Sequence, residues 1–261
     1  MIKKFQKVAF LFQLRIKYPD VVYFGAPSVV KFFGMLNRTL RKGFYSQSGQ
    51  DELVFTQFFK ALNSSVFPKL FVDIGCNHPT LHSNSYFFEV NQGYKVLAVD
   101  ALKEVHEWWR SQRPAAEFIE CAVGARNGEL RFDVVSGGEN GSMFSSVSGS
   151  SQKGAEHSVT TRTVNVRRIA DIFEERGIQR AGILSMDIEG YELPALQGIN
   201  FTQFMAYVFI IENNSHQGLG CNQIRDLMIS NGYIYYARIW NLDDIFIHPV
   251  LLALCQGVND G

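Results

Sequence analysis

Between residues 70 and 248 the apolar positions fall into short blocks separated by polar or glycine-containing segments, and four of the blocks end at an acid. Phe71-Val72-Asp73-Ile74-Gly75-Cys76-Asn77 reads as a buried parallel strand running into a tight loop. Tyr94–Val99 ends at Asp100, Ala181–Met186 at Asp187 and Ala206–Ile211 at Glu212. Further strands are predicted at Glu117–Val123, Val159–Val166, Tyr233–Ile239 and Ile245–His248. Leu130–Val135 alternates as an edge strand does. Helical spacing lies between them. One helix starts near Gln50 behind Ser48 or Gly49 and carries Phe55, Phe58, Phe59 and Leu62. Another runs from about Ser83 to Gln92 with Tyr86, Phe87 and Val90 inward. Others pass through Trp108-Trp109, Arg168–Arg176, Tyr191–Gln197 and Asn222–Ser230. About seven strands alternating with helices predict one mostly parallel α/β sheet covered on both faces.

Two regions depart from this rhythm. In residues 1–45, Phe5, Val8, Phe12 and Ile16 share a helical face, with Lys3, Lys7 and Lys17 elsewhere. One or two helices are expected there. They would pack on the body, complete a homo-oligomer, or lie at a membrane interface. Residues 136–158 are rich in Gly and Ser and lie between two core strands, which favours a lid or substrate loop over a plain insertion.

Composition sharpens the picture. The 261 residues are 46% hydrophobic and 19% charged, so a large folded core is expected. Net charge is zero, but residues 1–45 hold nine bases against Asp20 alone. The totals are 25 and 25, leaving 16 bases and 24 acids in residues 46–261. A basic arm before an acidic body suggests an anionic partner for the arm, a membrane surface or lipid-linked glycan. Nucleic acid is disfavoured, because the acidic body repels phosphates. Cys76, Cys121, Cys221 and Cys255 form no Cys-x-x-Cys pair, which points to a reducing, cytoplasmic setting. No apolar run approaches the ~20 residues of a membrane span.

In a crossover sheet the strand ends Asp73, Asp100, Asp187 and Glu212 converge on one crevice. Gly75-Cys76-Asn77-His78-Pro79 lacks the later glycines of a dinucleotide loop, and no Gly-Lys-Ser/Thr phosphate loop occurs. A phosphate-free ligand held by carboxylates fits better. S-adenosylmethionine, with a sulfonium, an amino acid end and a ribose diol, meets that description, and an acid such as Asp100 suits the diol.

Phe71–Asn77, Val99-Asp100 and Ser185-Met186-Asp187-Ile188-Glu189-Gly190-Tyr191-Glu192 resemble the FkbM family of S-adenosylmethionine-dependent methyltransferases. Tyr45-Ser46-Gln47, Gly49-Gln50-Asp51 and Ser83-Asn84-Ser85-Tyr86 extend the likeness across residues 45–248. His78-Pro79 departs from it. The resemblance implies a Rossmann-like class I methyltransferase fold in residues 46–261, behind the helical arm 1–45. It implies O-methylation of a hydroxyl on a saccharide, glycolipid or related small molecule. Asp73, Gly75 and Asn77 would touch cofactor. Asp100 and Ala101 would meet the ribose, and Gln50 with Ser83 or Asn84 the amino acid end. Cys121 and Ala122 would flank adenine, while Asp187 and Glu189 would face the methyl.

Asp187 with Glu212-Asn213 is also similar to the magnesium site of catechol-type O-methyltransferases. Oxygen donors there suit Mg²⁺. Without metal, His216 is the first candidate base, ahead of His78 and His82. The alternative function is a non-catalytic cofactor-binding or scaffold protein, for which His78-Pro79 is the support.

Overall fold

The computed structural model describes residues 22–24, 43–60, 62, 67–136, 145–148, 158–213, 221–239 and 242–259. In chain order, β1 (Val22–Phe24) precedes α1 (Gln50–Val54), which continues into a π-helical turn, Phe55–Phe59. Next come β2 (Leu70–Ile74), α2 (Tyr86–Gln92), β3 (Lys95–Asp100), α3 (Lys103–Gln112) and β4 (Glu117–Glu120). β5 (Ala122–Val123), β6 (Gly128–Ser136), β7 (Ser146–Val147) and β8 (Ser158–Arg167) follow. The chain then runs through α4 (Ile169–Glu175), β9 (Arg180–Met186), α5 (Glu192–Gln197), β10 (Met205–Glu212) and α6 (Asn222–Ser230). It closes with β11 (Ile234–Ile239), β12 (Asp243–Ile247) and α7 (Pro249–Asn259).

The main sheet has the order β1-β11-β12-β10-β9-β2-β3-β4. Only β12 runs against its neighbours, β10 and β11; the other pairs are parallel. Seven strands match the expected sheet, and β1 adds a short eighth at the β11 edge. Successive residues alternate between two cores. Val72, Ile74, Leu97, Val99, Leu184 and Met186 pack on one face with residues of α4, α5 and α6. Phe71, Val96, Ala98 and Ile183 pack on the other with residues of α2, α3 and α7. A strand buried on both faces must be apolar at nearly every position, which is why these blocks read as continuous runs. The chain order reverses between β2, which leads to β3, and β9, which leads to β10. A crevice therefore opens beyond their carboxyl ends.

Several expectations are corrected. Glu117–Val123 is two strands, because the chain leaves the main sheet at Cys121, whose N–H bonds Asp100 O at 2.9 Å. β5, β6 and β8 belong to a second sheet, β5-β8-β6-β7, so the stretches at Leu130–Val135 and Val159–Val166 do not extend the first. α2 begins at Tyr86 and buries Phe87 and Phe88, while Val90 is 51% exposed. In the basic arm, Val22–Phe24 form a strand where a helix was expected, and the amphipathic face from Phe5 to Ile16 lies outside the described residues. Of residues 136–158, Ser146-Val147 pair with β6. No described helix is long and apolar enough to cross a membrane.

Candidate active site

A cavity of about 330 Å³ occupies the crevice at the carboxyl ends of β2, β3 and β9. Asp73, Gly75, Asn77, Asp100, Ala101 and Asp187 line it, all at strand ends or in the loops that follow. Gln50, Ser83 and Asn84 close one side, and Cys121 with Ala122 another. Glu189 and Glu212 reach it as well. The residues expected to hold cofactor thus share one cavity.

Its floor is set by Gly75. The residue has φ +74°, and a Cβ there would stand 1.8 Å from the backbone oxygen of Asp187. Two hydrogen bonds fix this crossing: Gly75 N–H to Val99 O at 2.8 Å and Asp187 N–H to Ile74 O at 3.0 Å. Only glycine combines that backbone angle with that approach. Asn77 follows with φ +39° and gives its N–H to Asp100 Oδ2 at 3.1 Å, while its carbonyl accepts from Trp109 Nε1 at 2.7 Å. Asp100 Oδ1 accepts the Leu102 N–H at 3.0 Å. Burial pushes the Asp100 carboxyl up to about 6, against the pull of backbone N–H groups from Leu102, Asn77 and Ala101.

On the α2 side, Asp73 Oδ2 accepts the Ser85 hydroxyl at 2.5 Å, and burial raises this carboxyl to about 6. Asn84 Nδ2 donates to Ser185 Oγ at 2.9 Å, while its Oδ1 is buried with no hydrogen-bond partner. Gln50 accepts the Ser48 N–H and donates to Asp243 Oδ2, both at 2.8 Å. The loop carrying Gln47 and Gln50 is wrapped around Asp51, whose carboxylate accepts Tyr45 N–H at 2.6 Å, Ser46 N–H at 3.1 Å and Ser46 Oγ–H at 2.5 Å. The end near Cys121 and Ala122 is apolar, with Leu102, Val105, Phe132 and Val147. Phe132 and Val147 are register partners of β6 and β7, so the second sheet walls the cavity. Sequence reasoning missed both; their signal was the alternation around Phe132.

Beyond Asp187 the wall becomes acidic. Asp187, Glu192 and Glu212 each place a carboxylate oxygen within 4.8 Å of the others. Glu192, absent from the expected site, shapes the loop: its Oε1 accepts the N–H groups of Ile188 at 3.0 Å and Gly190 at 3.1 Å. That bond, with φ +55° at Glu189 and +95° at Gly190, is the physical content of the Asp-Ile-Glu-Gly-Tyr-Glu motif. Asp187 opens on the cavity mouth yet has protein close around its carboxylate. Burial raises it, against a hydrogen bond with Glu212. Burial and then Asp187, Glu189, Glu192 and Asp243 raise Glu212 well above the carboxylate range. Burial and neighbouring acids also lift Glu189 to about 8, Glu192 to about 7 and Asp243 to about 8.

These raised carboxyls fix a pH dependence. The folded state binds protons that the unfolded chain has released between about pH 4 and pH 8, so stability falls as pH rises through that window. The ligand-free protein is expected to melt several degrees higher at pH 5.5 than at pH 8, measured by calorimetry at constant ionic strength. A higher melting temperature at pH 8 would contradict the cluster.

Two expected residues, Asn213 and His78, take other roles. Asn213 does not face the cluster: its Nδ2 donates to Asp244 Oδ2 at 2.6 Å and Cys221 O at 3.1 Å, and its Oδ1 accepts the Cys221 N–H. Its carboxamide pins two segments and leaves no oxygen for a metal, a correction to the proposed set of Asp187, Glu212 and Asn213. His216 lies outside the described residues. His78 closes its own loop, its Nδ1 accepting Leu81 N–H at 2.9 Å and Thr80 N–H at 3.2 Å.

Fold, crevice and strand-end carboxylates define a class I S-adenosylmethionine-dependent methyltransferase. The methyltransferase FkbM domain matches residues 73–235, and the chain belongs to that family. No curated protein matches it. Among solved structures it is similar to a TehB-like SAM-dependent methyltransferase from Corynebacterium glutamicum, at 10% identity and a TM-score of 0.40 over 84% of this chain and 96% of that one. It is also similar to methyltransferase FkbM from Methylobacillus flagellatus KT, at 15% identity and a TM-score of 0.41 over 74% of this chain and 47% of that one.

Proposed function

We propose that the protein moves a methyl group from S-adenosylmethionine to a hydroxyl of a saccharide, glycolipid or related small molecule. The observation that carries this reading is one cavity with two chemically different parts. One part suits the cofactor. The carboxylate of Asp100 accepts backbone N–H groups from Asn77, Leu102 and Ala101 and would turn its remaining lone pair to a ribose hydroxyl. Asn84 and Asp73 line the cavity together, and their side-chain oxygens would be acceptors for an ammonium group. The apolar end by Ala122, Phe132 and Val147 suits a purine. Bound there, S-adenosylmethionine supplies a methyl group activated on a sulfonium.

The other part suits the acceptor. Asp187, Glu189 and Glu212 border the cavity with oxygens that accept sugar hydroxyls. Glu189, lifted to about 8, would take a hydroxyl proton in its ionised form, so transfer is expected to rise as pH approaches 8. Holding the hydroxyl at a fixed place supplies much of the rate. Asp187, Glu192 and Glu212 also form a hard oxygen donor set fit for Mg²⁺, which would acidify and orient a bound hydroxyl. The basic arm, residues 1–45, is proposed to bring this cytoplasmic enzyme to the anionic inner face of the membrane, or to join it to a second copy.

The test is transfer of labelled methyl from S-adenosylmethionine into glycan and glycolipid extracts, with and without chelator. Label in a sugar methyl ether, lost in Glu189→Gln, is the expected result. Label only in protein or nucleic acid would overturn the acceptor class. For the metal, Mg²⁺ should raise the melting temperature at pH 8 in wild type and not in Glu212→Gln.

A further inference from the structure

Arg113, at the carboxyl end of α3, is 3% exposed and was not singled out by its sequence context. It lies against the back of the cofactor loop. Its Nε donates to Glu89 of α2 at 2.5 Å. Its Nη1 reaches Pro79 O at 2.8 Å, Ser85 Oγ at 3.0 Å and Ser83 Oγ at 3.3 Å. The guanidinium lies 4.0 Å from the Trp109 ring centre and 5.5 Å from that of Tyr86. Ser85 in turn gives its proton to Asp73 Oδ2 at 2.5 Å. One buried cation thus ties together both ends of the loop 79–85 and, through a single hydroxyl, the carboxylate at the end of β2.

We propose that Arg113 is a positioning residue for the amino acid end of the cofactor, acting through Ser85 on Asp73 and through Ser83 on the loop that carries Asn84. The inference rests on the cofactor reading of the cavity. A planar fork is suited to the task, because it holds several acceptors at fixed angles while its face stacks on an aromatic ring. The Asp73 hydroxyl partner is oriented because Arg113 occupies the oxygen's lone-pair side, which leaves the proton for the carboxylate. Asn84 Oδ1, buried and without a partner, stands one residue from each of the two serines that Arg113 holds.

The experiment compares two ligands on the full chain by calorimetry. S-adenosylhomocysteine carries the amino acid end, and 5′-methylthioadenosine lacks it. The variants are Ser85→Ala, Arg113→Lys and the double variant. Ser85→Ala removes one oxygen and adds no bulk, so it is expected to fold and to carry the test if Arg113→Lys does not. The single variants are expected to weaken S-adenosylhomocysteine about tenfold, the scale of a hydrogen bond to a charged group, and to leave methylthioadenosine within about twofold. The double variant should lose little more than the weaker single, since both cut the same chain of contacts. Equal losses for both ligands would reduce Arg113 to a structural strut and overturn the proposal. Unchanged affinity for S-adenosylhomocysteine would overturn it too. Failure of the folded wild type to bind either ligand would instead bring down the cofactor reading itself.

Discussion

Gly75→Ala is expected to abolish cofactor binding and to lower the melting temperature by at least about 5 °C. The added methyl would sit 1.8 Å from the backbone oxygen of Asp187, and the residue would have to hold φ +74°. A left-handed angle costs a residue with a Cβ about 1 kcal/mol, and overpacking against unyielding atoms typically adds 1–3 kcal/mol. No side chain can turn away here, because the obstacle is main chain held by Asp187 N–H to Ile74 O. Relief requires β2 and β9 to part at their carboxyl ends, where Asp73 and Asp187 line the cavity. Thermal unfolding and titration with S-adenosylhomocysteine read the two effects separately. A variant with wild-type affinity would mean that this crossing is looser than the structure shows.

The second large effect is expected at Asp244, away from the cavity. Its Oδ1 accepts from Arg238 Nη1 and Tyr235 Oη, both at 2.7 Å. Its Oδ2 accepts from Arg225 Nε at 2.8 Å and Asn213 Nδ2 at 2.6 Å. Both arginine side chains and the aspartate are fully buried. Burial pushes this carboxyl up, yet Arg238, Arg225 and the hydrogen bonds outweigh it and hold it below the usual aspartate value. Removing the anion leaves two buried cations, and breaking such a pair costs about 3–5 kcal/mol. Asp244→Ala is therefore expected to lose most of the soluble protein, or about 10 °C of melting temperature where it folds. The sign with pH is opposite to that of the cavity acids. A depressed folded value gives stability that is full above the unfolded value near 4 and lost as pH falls through the lower folded value. The two signs together place the greatest stability of the wild type on the acid side of neutrality, at or just above the unfolded carboxylate value near 4. Asp244→Asn, which keeps the shape without the charge, separates the ionic contribution from packing by its smaller loss.

What was legible in the sequence followed from repetition of one physical demand. Strands buried on both faces need unbroken apolar runs, so β2, β3, β9 and β10 could be placed with their terminal acids. Those acids then fell on one crevice because parallel strands end on the same side. Strands of the second sheet carry the same alternation as edge strands of the first, and nothing local tells which sheet receives them. The turn at Cys121 decides it, through a hydrogen bond to Asp100. α7 was missed although Pro249 and the apolar Val250–Leu254 run mark a helix start. Asn213 shows the opposite limit. Its place beside Glu212 suggested a ligand, but β12 brings Asp244 to its amide, a contact between residues 31 apart. Asp243 and Arg113 were hidden for the same reason: their partners are set by packing, not by spacing, whereas Glu192 bonds within its own motif and was legible there.

The most direct measurement is a calorimetric titration of the full chain with S-adenosylhomocysteine, wild type beside Asp100→Ala, each confirmed as folded. Asp100 is the carboxylate whose two oxygens are aimed by Asn77 and Leu102 at the cavity. Binding at one site in the wild type, weakened about a hundredfold in the variant, is the predicted result, the scale of two charge-assisted hydrogen bonds. Equal binding by both proteins, or none by the folded wild type, would contradict it.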